Sequence, residues 1–190
     1  MNLEEQNNKL RQYNNLRSFG ITLSEEDVIW MLKSNQFFDT QRNIRAAGID
    51  NKFKRLLGDS LVYDKATELF WQHSVSPHQM IFEEAGQYVQ NFNRRTFAGY
   101  SDWRLPTLEE AMSLMEPEKS SNHYYINTIF GRASWIWMSD KASTSRAWVV
   151  GFNVGHCSDW DVNSQGAYVL AVRKATHEKN KQLEMNGDNS

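Results

Sequence analysis

Cysteine is nearly absent: Cys157 stands alone among 190 residues. That excludes an intrachain disulfide framework and a cysteine-rich zinc site, and it suits a reducing compartment. Long apolar runs are missing too. Nothing approaches the roughly 18 to 20 apolar residues of a membrane-spanning helix, and the opening MNLEEQNNKLRQYNN has no apolar core of a secretion signal. A cytoplasmic protein with no membrane partner is the expectation. Charge of one sign is not in excess either, with 21 Lys and Arg against 23 Asp and Glu. Without a broad basic field, nucleic acid is a poor partner. His73, His78, His123, His156 and His177 show neither an i, i+4 helical pair nor HExxH, and no phosphate-binding or dinucleotide-binding glycine pattern occurs. No metal and no cofactor is expected.

What is present is aromatic: 13% Phe, Trp and Tyr within a hydrophobic fraction of 40%. The chain has the length for one domain with a substantial core. Polar, Asn/Gln-rich residues 1–19 and the charged tail THEKNKQLEMNGDNS are expected to fray or lie on the surface. Ser24 with Asp27 reads as a helix N-cap ahead of Val28, Ile29, Met31 and Leu32. Residues 36–60 lack a sustained period and suggest an arm across the surface. LVYDKATELFWQ reads as a hairpin turning at Lys65–Glu68. Ile81, Ala85, Tyr88, Val89 and Phe92 form one helical stripe, and Thr107 with Glu110 forms a capping box for a second helix that turns Leu108, Ala111, Met112 and Met115 inward. SWIWMSD, RAWVVGFN and GAYVLAVR read as strands, with Trp135 and Trp137 on one face and Ile136 and Met138 on the other.

GYSDWRLPT, residues 99–107, reads as a structural joint. Gly99 frees the backbone, Trp103 anchors a core, and Pro106 ends extended chain ahead of the Thr107 cap. Asp102 and Arg104 are expected to hold the turn by pairing with backbone groups or with each other.

VYDKATELFWQ, AGQYVQNFNRRTFAGYSDWRLPTLEEAMSLME, SWIWMSD, RAWVVGFNVG and GAYVLAVR together resemble the Lcl C-terminal-like domain family. The resemblance implies an α+β chain with a C-type lectin-like fold of the formylglycine-generating-enzyme kind, two helices packed on small antiparallel sheets. It divides the chain into an N-terminal helical extension and arm (1–60), the lectin-fold domain (61–174) and a tail (175–190). Two positions depart from the family pattern. Glu68 stands where a turn glycine is usual, and Leu170 where many members carry arginine.

The same resemblance raises the oxidases of this fold, which hold copper on a cysteine pair; one cysteine cannot supply that pair. His156 and Cys157 are neighbours in an extended segment and point opposite ways, so no base–nucleophile dyad is expected. The glutamate pairs 83/84 and 109/110 are accounted for by helix capping and dipole effects. No enzyme activity is expected.

The remaining signal is the run from Ser145 and Arg146 to Tyr168. It mixes Asn153, His156, Ser158 and Asp159 with Asp161, Asn163, Ser164 and Gln165 around Trp160, the short polar and rigid aromatic mixture that suits recognition. The resemblance extends to the variable receptors of diversity-generating retroelements, whose late strands and loops form the binding face. This adds Cys157 and Ala167 as contact positions. Trp160 would be a fixed anchor there, since its codon does not arise from a mutated AAC or AAT triplet. The expectation is a non-catalytic recognition domain for a protein or glycan. An adhesin-like glycan binder is the alternative, and an oxidase is a distant third. Sulfated sugars would require clustered cations, and this face offers little beyond Arg146 and Arg173.

Overall fold

A computed structural model describes residues 16–58 and 60–175. The termini expected to fray fall mostly outside the described residues; Leu16–Phe19 are within them, and Arg17 there is tied down by Asp140 at 2.6 Å. The order of elements is α1 (Glu25–Ser34), β1 (Phe53–Leu56), β2 (Leu61–Asp64), β3 (Leu69–Gln72), α2 (Phe82–Arg94), α3 (Leu108–Met112), β4 (Trp135–Lys141), β5 (Arg146–Gly151), β6 (His156–Asp161) and β7 (Val172–Lys174). Two small antiparallel sheets result, ordered β1-β2-β3-β7 and β4-β5-β6. The chain is α+β, with few helices set against small antiparallel sheets.

Local chemistry explains the helix starts. The Ser24 hydroxyl accepts from Asp27 N–H while the Asp27 carboxylate accepts from Ser24 N–H, and Thr107 and Glu110 repeat the exchange at α3. At α2 the Glu84 carboxylate accepts from Ile81 N–H at 3.1 Å. The β2–β3 hairpin pairs Asp64 with Leu69, so its loop is Lys65–Glu68 as the sequence suggests. Glu68 takes φ +55, a left-handed conformation unfavourable for a residue with a Cβ.

The β4-β5-β6 sheet separates two cores. Ile136, Met138, Trp148, Val150 and Cys157 face one that includes Val28, Met31 and Leu32 of α1 and Leu108 and Met112 of α3. Trp137, Ala147 and Val149 face the other, which includes Ala85 and Val89 of α2 and Trp103. The expected alternation of Trp135 and Trp137 against Ile136 and Met138 is what divides β4 between them.

Three expectations need correction. Residues 36–60 are not a surface arm: Phe37, Phe38, Asp39 and Ala46 are buried, and residues 53–56 form β1. Tertiary partners rather than local periodicity bury this stretch. GAYVLAVR is not one strand. Ala167 bridges to Met80 and Tyr168 to Ile136, then the chain crosses to the other sheet and pairs with β3 as β7. Finally, 156–161, which lies outside the three runs read as strands, is strand β6, because ladder pairing with β5 uses main-chain groups and tolerates polar side chains.

Candidate functional site

The β5–β6 ladder sets the site. Its register places Arg146 opposite Asp161, Ala147 opposite Trp160 and Gly151 opposite His156. Successive side chains on β6 alternate, so Trp160 turns toward the α2 side while Cys157, Asp159 and Asp161 turn toward the α1 side. Beyond Asp161 the chain bends: the Asp161 Oδ1 accepts from Asn163 N–H at 2.8 Å, and Asp161 C=O accepts from Ser164 N–H at 2.9 Å. A shallow cleft of about 550 Å³ lies at this bend, lined by Arg146, Trp160, Asp161, Ser164, Gln165 and Gly166.

Trp160 is a fixed wall of the cleft. Its ring packs on Trp135 at 4.8 Å between centroids and edge-to-face on Trp137 at 6.4 Å. The Trp137 indole N–H in turn donates to Met80 C=O at 2.8 Å, and Phe82 of α2 packs on the Trp137 ring. Gly166 is required for close approach, because a Cβ there would meet Cζ3 of Trp160 at 2.8 Å. Gly151 plays the same part for Trp135, whose ring a Cβ would meet at 2.8 Å. On the other side of β6, Arg146 donates through Nε to the Asp159 carboxylate and through a terminal nitrogen to Asp159 C=O. That partner holds the guanidinium above its ordinary pKa.

The other expected contact residues scatter. Ser145 and Asn163 are exposed beside the cleft, and Ser158 and Asp159 are half-buried. Asn153 and His156 lie at the far end of β6, roughly 17 Å of extended chain away. His156 packs edge-to-face on Trp135, and burial pushes its pKa below the ordinary histidine value. Cys157 and Ala167 are fully buried, so neither belongs to an exposed face. Tyr168 is half-buried, with its main chain bonded to Trp135 and Trp137 of β4. Burial pushes the Cys157 thiol far up, and the Asp39 carboxylate beside it adds to the shift.

Composition gave no sign of the support behind β6. Asp39, fully buried, accepts from Gln41 N–H and Arg42 N–H at 2.8 Å and from Cys157 N–H at 3.1 Å. Arg42 donates to Cys157 C=O at 2.9 Å and to Glu25 at 2.6 Å. The outer edge of β6 at Cys157 is thereby closed by the 39–42 segment. Gly166 was also missed; a glycine beside Ala167 with a tryptophan six residues earlier is the only signal it carries.

The residues of GYSDWRLPT find separate partners. Gly99 has φ +82. Asp102 pairs with Arg173 at 2.6 Å and Arg104 with buried Glu110 at 2.6 Å, so the two do not pair with each other. Trp103 is buried, its indole donating to Phe97 C=O at 3.0 Å and its main chain held by the Asn93 amide. Pro106 C=O accepts from Ser139 N–H at 2.7 Å, and the Thr107 hydroxyl, besides capping α3, donates to Arg17 C=O at 2.9 Å.

Among the described residues no group of three or more His, Cys, Asp or Glu side chains could hold a metal ion, and no helix is long and apolar enough to cross a membrane. A comparison with curated proteins gives no match. The model of the Lcl C-terminal domain matches residues 60–173, from the start of the β2–β3 hairpin into β7, and so spans the whole cleft. On that match over more than half its length, the chain belongs to the Lcl C-terminal domain family.

Proposed function

We propose that this protein is a non-catalytic recognition domain that binds a protein or glycan ligand at the cleft beside Trp160. The observation that carries the reading is the cleft itself. A tryptophan locked by two further tryptophans and a glycine meets short polar side chains on an exposed bend. Such a wall is ordered before any ligand arrives, which lowers the entropy lost on binding. A C-type lectin-like fold of the formylglycine-generating kind, cytoplasmic location and diversification of residues 145–173 by a retroelement complete the proposal. Family membership favours the first. The third is tested by comparing the final codons with a near-identical repeat beside a reverse-transcriptase gene.

Two alternatives rank lower on specific grounds. A sulfated-glycan adhesin would require free cations, whereas Arg146 is engaged by Asp159 and Arg173 is buried against Asp102. An oxidase of the formylglycine-generating type needs thiolates, and the Cys157 thiol is buried and held protonated. The deciding experiment maps saccharide and peptide libraries onto the full chain by amide chemical-shift changes. The proposal expects ligand-induced shifts centred on Trp160, Asp161 and Gln165. Shifts centred elsewhere, or copper-dependent turnover of a cysteine-containing peptide, overturn it.

A further inference from the structure

We propose that the protein takes an uncharged saccharide, stacked on Trp135 and Trp160 along the α2 side of β6; this rests on the recognition reading above. The indole N–H groups point to it first. Trp103, Trp137 and Trp148 donate theirs to the carbonyls of Phe97, Met80 and Leu23. Trp135 and Trp160 are half-buried, and their indole nitrogens find no acceptor among the described residues yet stay open to solvent. The two rings adjoin at 4.8 Å. A Cβ at Gly151 would meet three neighbouring atoms of the Trp135 ring at an equal 2.8 Å, so one face of that ring lies flat on the Gly151 main chain and the other is turned away from the sheet. His156 packs edge-on against Trp135 at 5.5 Å. Alternation along β6 puts His156, Ser158 and Trp160 on this one side, and the Ser158 hydroxyl, also open to solvent, has no partner among the described residues.

Charge is withheld from this side. Arg146, Asp159 and Asp161 belong to the opposite face of β6, where Arg146 pairs with Asp159. Burial disfavours the charged form of His156, and Asp39 and Arg42, whose fields reach it, lie 3.6 Å apart and offset each other. A pyranose matches these features together. Its C–H side is weakly positive and packs on the negative face of an aromatic ring. Its hydroxyls both donate and accept, which suits two indole donors beside a serine and a neutral imidazole that do both. A proline-rich peptide presents main-chain carbonyl acceptors and would leave the acceptors of Ser158 and His156 unused. A sulfated sugar would find no free cation here.

The test uses the full chain and the indole N–H resonances of Trp135 and Trp160, assigned by their loss in Trp135→Phe and Trp160→Phe. Four probes are titrated: cellobiose, maltose, a sulfated disaccharide and a proline-rich peptide. At least one of the neutral disaccharides is expected to move both indole resonances and the amides of His156 and Ser158, with an affinity indifferent to salt. Trp135→Ala, checked for folding by its melting transition, is expected to weaken that binding at least about tenfold through loss of the stacked ring. Ser158→Ala, which leaves every ring in place and so covers a folding failure of the first variant, is expected to weaken it about threefold or more. Equal or tighter binding of the sulfated sugar or the peptide at these resonances overturns the assignment and leaves the recognition reading standing. Disaccharide binding that neither variant weakens does the same. If no probe moves any resonance of this face or of the Trp160 cleft, both are overturned.

Discussion

Asp39→Ala is the substitution that most directly probes how β6 is held. The buried carboxylate satisfies the main-chain N–H groups of Gln41, Arg42 and Cys157 and lies 3.6 Å from Arg42. Alanine removes the acceptor from all three donors and leaves Arg42, whose side chain is 15% exposed, with only Glu25 as a charged partner. Breaking a buried charge pair from one side costs about 3–5 kcal/mol. The surviving Glu25 contact puts this case near about 3 kcal/mol. For a chain of this length that corresponds to roughly 6–12 °C in melting temperature. Asp39→Asn keeps one oxygen acceptor and is expected to lose roughly half as much. Urea unfolding followed by circular dichroism gives the free energy, and amide exchange at Cys157 reports whether the β6 edge opens first. A loss below about 1 kcal/mol for Asp39→Ala, with unchanged exchange at Cys157, would refute the argument that residues 39–42 clamp this strand.

Three further outcomes follow from local geometry. Glu68→Gly relieves the left-handed turn residue at φ +55 and is expected to raise stability by up to about 1 kcal/mol, read as a higher urea midpoint at unchanged slope. Because burial depresses the His156 pKa from 6.5, the fold favours the neutral ring. Its contribution is complete above the unfolded value and is lost as pH falls below it through the folded value. Wild type should therefore lose more stability than His156→Gln between pH 7.5 and pH 5, and parallel pH profiles would count against this. The Cys157 thiol should resist a disulfide reagent in the native state and react when urea unfolds the chain; rapid native labelling would show that the β6 edge opens freely.

Elements whose signals are local could be read from the chain. Both capping boxes, the α2 stripe and the β2–β3 hairpin depend on residues within a few positions of one another, and β4 and β5 announce themselves through alternating aromatic and β-branched residues. Where burial depends on distant partners the sequence was silent. Asp39 looks like an ordinary polar residue until Cys157, 118 positions later, reaches it. Asp102 and Arg104 invited mutual pairing, yet Arg173 and Glu110 were better placed for each. β6 was legible only as an extended segment at His156 and Cys157, because its side chains are mostly polar on an edge strand, although its main chain pairs along its full length with β5. The cleft was largely legible: Arg146, Trp160, Asp161, Ser164 and Gln165 stood out by composition, whereas Gly166 matters through the close approach of its backbone to an indole.

The most direct test fills the cleft. Once a ligand is in hand, its affinity should be measured for wild type, for Ser164→Trp, which places a large ring in the cleft, and for Lys65→Trp, which places the same ring at an exposed position of the β2–β3 turn. A loss of tenfold or more for Ser164→Trp with none for Lys65→Trp is the predicted result. Unchanged affinity in Ser164→Trp would contradict the assignment of the Trp160 cleft as the binding site.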